Sequence, residues 1–317
     1  MTDAPMTDAL SIGLLGGGGL LGRAMRRALD EHSFDRVTVF DRSVDLTDRG
    51  SLVAAFDGAN PTVVINCAAW TDVECAEADP AGAHRVNGDG VHTLATLLAE
   101  RGAGLIHLST DYVFSGEKEE PYGPEDRVGP LNEYGRSKRA GEEAILASGL
   151  AHWWILRTSW LYGEGSGHFP ARMAQLARSR PTLSVVDDQR GTPTSTDALA
   201  AAIAGELAEG RGALPGRIEH LAGGGAASWA DLAEAVIDLL GDRGDDPLAT
   251  VERVTTDEFA TAQRAAGRTP PQATRPVNSA LDSSAYAART GRSVVDWRTS
   301  LEETFDRYGS TWGEENA

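Results

Sequence analysis

The chain has 317 residues, 24% charged and 41% hydrophobic, with a formal net charge of −18. That length supports one large or two moderate domains around an apolar core that needs no disulfide or structural metal. The two cysteines, Cys67 and Cys75, make neither a disulfide framework nor a zinc-ligand spacing. The acidic balance repels phosphate backbones and anionic membranes, so neither a nucleic acid nor a membrane is expected as a partner. No apolar run reaches the ~18–20 residues of a membrane span, and acidic Asp3 and Asp8 stand where a signal peptide carries basic residues, which points to the cytoplasm.

The first half alternates short β-branched runs with amphipathic stretches. Strands are expected at Leu10–Leu15, Val37–Phe40, Thr62–Asn66, Leu105–Ser109 and Trp154–Arg157, and helices at Leu21–Glu31, Arg49–Phe56, Ala81–Arg101 and Asn132–Ala147. This is the pattern of an α/β fold, a Rossmann-type doubly wound parallel sheet that binds ligands at the carboxyl ends of its strands. The dinucleotide-binding domain is expected over 9–160. From 161 to 317 the strand rhythm thins, and helices expected at Phe169–Arg178, Asp197–Glu209 and Trp229–Leu240 are separated by turns such as Gly191-Thr192-Pro193-Thr194. This half reads mainly as a smaller, discontinuous substrate-binding lobe, some of whose segments return to the first domain.

Gly16-Gly17-Gly18-Gly19-Leu20-Leu21-Gly22 lies directly between the first strand and the first helix. Glycine allows close backbone approach, and the helix N-terminus supplies N–H groups to a pyrophosphate, so Gly16, Gly19, Leu20, Leu21 and Gly22 are expected to bind a dinucleotide. The run satisfies both G-x-G-x-x-G and G-x-x-G-x-x-G, and spacing does not choose between them. Asp41 and Arg42 close the second strand. An acidic residue there bonds the ribose 2′-OH of NAD and an arginine suits the 2′-phosphate of NADP, so either NADPH or NADH fits. Small residues after the third strand, with Ala68, Ala69 and Thr71, let a cofactor ribose lie against the backbone. The fourth strand ends in hydroxyls, of which Ser109 or Thr110 is able to bond a carbonyl oxygen.

Tyr134-Gly135-Arg136-Ser137-Lys138 opens the next helix, and the four-residue spacing puts Tyr134 and Lys138 on one face. An ammonium beside a phenol stabilises the phenolate and makes the tyrosine a better acid. Of 29 basic residues only Lys118 and Lys138 are lysines, so the one at 138 is conspicuous. A phosphorylated substrate needs local cations in so acidic a chain, for which Arg275 is the first candidate and Arg190 the second. Trp160 follows the fifth strand and is of a type that stacks on sugar or base.

Six segments together resemble one family. They are Asn66–Glu77 (NCAAWTDVECAE), Ser109–Phe114 (STDYVF), Tyr134–Lys138 (YGRSK), Leu156–Gly163 (LRTSWLYG), Asp188–Thr194 (DQRGTPT) and Arg275–Leu281 (RPVNSAL). In this order they look like dTDP-4-dehydrorhamnose reductases, within the extended short-chain dehydrogenase/reductases. The resemblance implies reduction of the C4 keto group of a dTDP-4-keto-6-deoxyhexose by NADPH or NADH, with Thr110, Tyr134 and Lys138 as the catalytic set. It also implies that Asp45, Leu46 and 69–71 line the cofactor, and that Thr110, Asp111 and Trp160 touch the nucleotide sugar. Some members hold Mg²⁺ with glutamates at a dimer contact. Asp197 falls near one such position, but no metal is expected here, and a homodimer is the commonest assembly. The alternatives are a nucleotide-sugar epimerase or dehydratase and a non-catalytic NADP-binding regulatory subunit. The segment Thr110-Asp111-Tyr112 lacks the Asp-Glu pair of a dehydratase.

Overall fold

The computed structural model describes residues 10–210, 212–245 and 249–312. The apolar runs of the first half form β1 (Ile12–Leu15), β2 (Val37–Phe40), β3 (Val63–Asn66), β4 (Gly104–Thr110) and β5 (Trp153–Thr158). With the strand Arg217–His220 they make one parallel sheet in the order Arg217–His220, β5, β4, β3, β1, β2. Every residue of β1, β3 and β4 is buried, as expected for strands covered on both faces. The order changes direction beside β1, between β1 and β3, and the carboxyl ends there open the crevice in which such sheets bind ligands.

Helices cover the sheet through two apolar layers. On one face α1 (Leu20–Glu31) and the helix Thr196–Gly210 pack Met25, Leu29, Leu199 and Ile203 against Ile12, Leu14 and Ile65. On the other, α2 (Arg49–Ala59) and the helices Gly90–Arg101 and Glu133–Ala147 pack Phe56, Leu94, Leu98 and Ile145 against Val64, Leu105 and Ile155. A second core joins the helices Phe169–Ala177, Trp229–Asp242 and Trp297–Tyr308 through Ala174, Val236, Leu301 and Phe305, with Trp312 against them. The helix Thr196–Gly210 and the strand Arg217–His220 come from the second half of the chain yet build the sheet domain. Among the described residues no helix is long and apolar enough to cross a membrane.

The single helix expected at Ala81–Arg101 is instead segmented. Helices Val73–Ala78 and Pro80–His84 are capped by Asp72 and Asp79, and a π-turn at Arg85–Asp89 leads into Gly90–Arg101. Asn87 in that turn is fully buried and bonds the backbone of Trp70, which tertiary contact the periodicity does not carry.

The helix Glu133–Ala147 is held to the sheet by a buried ion pair. Arg157 of β5 donates to both oxygens of Glu142 at 2.8 Å, and Ser109 donates to the same carboxylate at 2.6 Å. With side chains 2% and 0% exposed, neither charge has solvent to fall back on. Replacing Arg157 by leucine is therefore expected to lower the unfolding free energy by about 3–5 kcal/mol, read from urea denaturation. A loss below about 1 kcal/mol, the value of an exposed pair, would overturn this reading.

Candidate active site

The glycine turn resolves the two spacings. Gly16 has φ +74, and a Cβ there would lie 2.6 Å from the backbone nitrogen of Ala68. A Cβ on Gly22 would lie 2.1 Å from the Gly16 carbonyl oxygen. Gly18 faces open space, and Gly17 abuts only side chains, that of Val39 first. The backbone thus requires Gly16 and Gly22, and Gly19 stands between them as the N-cap of α1 with no capping side chain. The uncapped N–H groups of the first turn, over a floor that side chains would fill, fit a dinucleotide pyrophosphate. Leu20 and Leu21 contribute main chain there, since the Leu21 side chain belongs to the core.

The neighbouring strap, Cys67–Thr71, is fixed from beneath. The Ala68 N–H donates to Asn66 Oδ1 at 3.1 Å. Asn87 accepts from the Trp70 N–H and donates to the Trp70 carbonyl, both at 2.9 Å, and also donates to Ser137 Oγ at 2.9 Å. Ala69 lies half-buried and Thr71 exposed on this strap. Past β2, Asp41 and Arg42 are exposed, and hydrogen bonds from Ser43 hold the Asp41 carboxyl below its usual range. Asp45 is likewise held down by Thr47, whose N–H it accepts at 2.8 Å. Leu46 is buried in the core below α2, so any reach toward a cofactor is through its backbone.

Tyr134 and Lys138 share the inner face of the helix Glu133–Ala147. Asn132 caps that helix by accepting from the Gly135 N–H at 2.8 Å and donates to the Thr274 carbonyl at 2.8 Å. Gly135 lets the first turn sit against Tyr112, whose carbonyl oxygen a Cβ would approach to 2.2 Å. Thr110 is the polar side chain that acts on the buried Tyr134 phenol. The Thr110 hydroxyl donates to Asp111 at 3.0 Å and accepts from the Tyr112 N–H at 3.2 Å. Of the two hydroxyls expected to reach a carbonyl, Ser109 is turned away to Glu142, which leaves Thr110.

Lys138 departs from expectation. Its Nζ donates to the Leu108 carbonyl at 2.6 Å and lies 3.3 Å from His107 Nε2. Burial pushes the Tyr134 phenol up to about 12, the Thr110 hydrogen bond pulls it back, and Lys138 is not among the groups acting on it. The phenol is therefore held protonated rather than made more acidic. Burial pushes Lys138 down to about 8.

The residues expected around the sugar are largely engaged by protein partners, and Ser279 Oγ links Asp111 to the Arg190 carbonyl. Asp111 is buried and accepts from Ser279 at 2.6 Å, and burial pushes its carboxyl up to about 7. Trp160 has φ +47 and stacks flat on Trp229 with ring centroids 3.5 Å apart. Gly191 packs against the same indole, which a Cβ there would approach to 2.2 Å, and the indole Nε1 is buried without a partner. Arg275, the first candidate for the substrate's phosphates, is paired to Glu74 at 2.7 Å. Arg190 has an exposed side chain, and its backbone binds 277 and 279. Asp197 accepts from Arg27, Arg307 and the Tyr308 hydroxyl at 2.8, 3.0 and 2.9 Å. Sequence reasoning missed Asn87, His107, Tyr112, Trp229 and Ser279, which act through contacts between segments far apart in the chain.

Residues 10–310 match the family model of the RmlD substrate binding domain. A dTDP-4-dehydrorhamnose reductase of Streptomyces griseus is 40% identical, over 92% of this chain and 91% of its own. The chain belongs to the dTDP-4-dehydrorhamnose reductase family. A dTDP-4-keto-6-deoxy-D-glucose reductase of Streptomyces niveus is 37% identical over 95% and 97% of the two chains. The crystal structure of the reductase from Bacillus anthracis in complex with NADP superposes with a TM-score of 0.84, at 28% identity, over 95% of this chain and 100% of that one.

In this family member the buried Asp111 ties stability to pH. Its pKa rises from 3.8 to about 7 on folding, so the folded state holds the proton more tightly, and the stability so gained is lost as pH rises through about 7. Asp111→Asn removes that dependence. The variant is expected to gain on the wild type in urea midpoint between pH 5 and pH 8, and a constant difference across that range would contradict the assignment.

Proposed function

We propose that the chain catalyses the NAD(P)H-dependent reduction of the C4 keto group of a dTDP-4-keto-6-deoxyhexose, as a dTDP-4-dehydrorhamnose reductase or a related deoxysugar 4-ketoreductase. The observation that carries this reading is the buried Tyr134 phenol acted on by Thr110 at the end of β4, with Lys138 on the same helix face and the glycine cradle at the end of β1 in the same sheet.

A bound reduced nicotinamide supplies the hydride. Gly16, Gly19 and Gly22, with the main chain of Leu20 and Leu21, fit its pyrophosphate. Asp41, Arg42, Asp45 and Leu46 suit its adenosine end, and Ala68, Ala69, Thr71, Tyr134 and Lys138 suit the remainder. As the ketone is reduced, negative charge grows on its oxygen. Tyr134, whose phenol keeps its proton until about pH 12, donates that proton to the oxygen. Thr110 is a second donor once its hydroxyl turns from Asp111, a turn favoured when Asp111, at about 7, carries a proton itself. Lys138, its Nζ on the Leu108 carbonyl and beside His107 rather than on the phenol, suits the nicotinamide ribose. Trp160 and Arg275 suit the nucleotide sugar, with Trp160 as a flat platform backed by Trp229 and Arg275 as a guanidinium shared with Glu74. A dehydratase needs an acid after Asp111, where this chain has Tyr112.

The test is oxidation of NADPH and NADH, each followed at 340 nm, with dTDP-4-keto-6-deoxyglucose in the presence and absence of a 3,5-epimerase. Turnover only with the epimerase supports the rhamnose-forming reductase, turnover without it supports a related 4-ketoreductase, and none in either set would overturn the proposal. Tyr134→Phe is expected to lower kcat by about 10²- to 10⁴-fold while cofactor affinity stays within a few-fold. Near wild-type turnover would remove Tyr134 from the mechanism.

A further inference from the structure

Behind Tyr134 the buried ends of β3 and β4 carry a hydrogen-bond chain with a definite direction. The Ala68 N–H donates to Asn66 Oδ1 at 3.1 Å, which settles the orientation of that amide. Asn66 Nδ2 therefore presents its hydrogens to His107 Nδ1, also at 3.1 Å, and Nδ1 is an acceptor. His107 is fully buried, and burial with Lys138 beside it holds its pKa well below the usual histidine range. The neutral ring thus carries its one proton on Nε2. That nitrogen lies 3.3 Å from Lys138 Nζ. An amine meets the Nε2–H with a lone pair, whereas an ammonium opposes hydrogen with hydrogen.

We propose that His107 is a positioning residue for Lys138. Its Nε2–H, oriented through Asn66 from the Ala68 backbone, holds Nζ in place and favours the amine over the ammonium, so His107 sets the pH range over which Lys138 is charged. The inference rests on the reading of Lys138 as part of the catalytic set. It also links the strap suited to the cofactor to the proton on Lys138, because the chain begins at Ala68.

Burial lowers the Lys138 pKa, and the remaining groups facing Nζ oppose that direction or are neutral, the Leu108 carbonyl accepting from it at 2.6 Å. Glu142, one turn along the same helix, raises the Lys138 pKa, but its carboxylate is engaged by Arg157, Arg139 and Ser109. Cys67, at the end of β3, is pushed up to about 12 by burial and stays a thiol across the relevant range. Lys138 itself falls to about 8 through burial, so its cation is present below that pH and lost above it. A group that exchanges its proton near the working pH is well matched to proton transfer.

The chain has two lysines, Lys118 and Lys138, so lysine-selective ¹³C labelling places two Cε resonances in one spectrum. Lys138→Met assigns them by removing one. His107→Gln puts a carbonyl oxygen, able to accept from both Asn66 and an ammonium, where the Nε2–H stood. Asn66→Ala frees Nδ1 to take the ring proton and leaves Nε2 as an acceptor. Both variants are expected to raise the Lys138 midpoint by about one pH unit or more, and the alkaline limb of kcat should move with it. An unshifted midpoint in either variant, with the fold retained by circular dichroism, would overturn the proposal. If the resonance shifts but Lys138→Met keeps wild-type turnover, the placement of Lys138 in the catalytic set fails while the His107 assignment stands.

Discussion

The buried Arg157–Glu142 pair joins β5 to the helix Glu133–Ala147, with Ser109 of β4 bonded to the same carboxylate. A strand, the helix that follows it and the next strand meet at one fully buried carboxylate. The desolvation cost of such a pair is met only when its geometry is good, so helix and sheet are held in one relative position. Tyr134 and Lys138 sit two turns and one turn before Glu142 on that helix, and their reach toward Thr110 and Leu108 follows from it. A shift of one helical turn would lose both contacts together with the ion pair.

The cluster of hydroxyls and carboxylates after β4 then divides into distinct tasks. Ser109 serves the ion pair, Thr110 faces Tyr134, and Asp111 is anchored by Ser279 from the far end of the chain. Glycines at 135 and 141 let the helix approach Tyr112 and Asn87 more closely than any side chain permits. The same close approach operates at Gly16 and Gly22, where strand and helix meet under the cofactor cradle. Backbone proximity, rather than a long list of polar contacts, is what brings the glycine turn, the Cys67–Thr71 strap and the helix of Tyr134 together.

The second half of the chain closes the site through reciprocal links. Glu74 accepts from the N–H groups of Gln272 and Ala273 and pairs with Arg275. Asn132 holds Thr274, and Ser279 holds Asp111. The 272–281 segment is thereby sewn along the mouth of the crevice. Trp160, strained at positive φ and flanked by Trp229 and Gly191, is a rigid surface rather than a mobile side chain. Such pre-set surfaces lose little freedom when a ligand lands on them.

The sequence by itself determined five of the sheet's six strands, the glycine turn and the Tyr134/Lys138 pair, because strand runs, a turn between strand and helix, and a four-residue helical repeat are all local, whereas the edge strand Arg217–His220 was not legible. Its family segments likewise pointed to the reductases. It left the glycine register open, because both spacings fit the same run, and only the contact of Gly16 with Ala68 and of Gly22 with Gly16 decides it. It expected Lys138 to act on Tyr134, whereas the fold turns the ammonium to Leu108 and His107 and leaves the phenol raised by burial. It read the Ala81–Arg101 stretch as one helix, which the turn around Asn87 corrects, and it offered Arg275 to the substrate without its partner Glu74. In each case the partner lies on another segment of the chain. Proton affinity and salt-bridge state depend on what a group faces, and that is decided only when strands and helices pack.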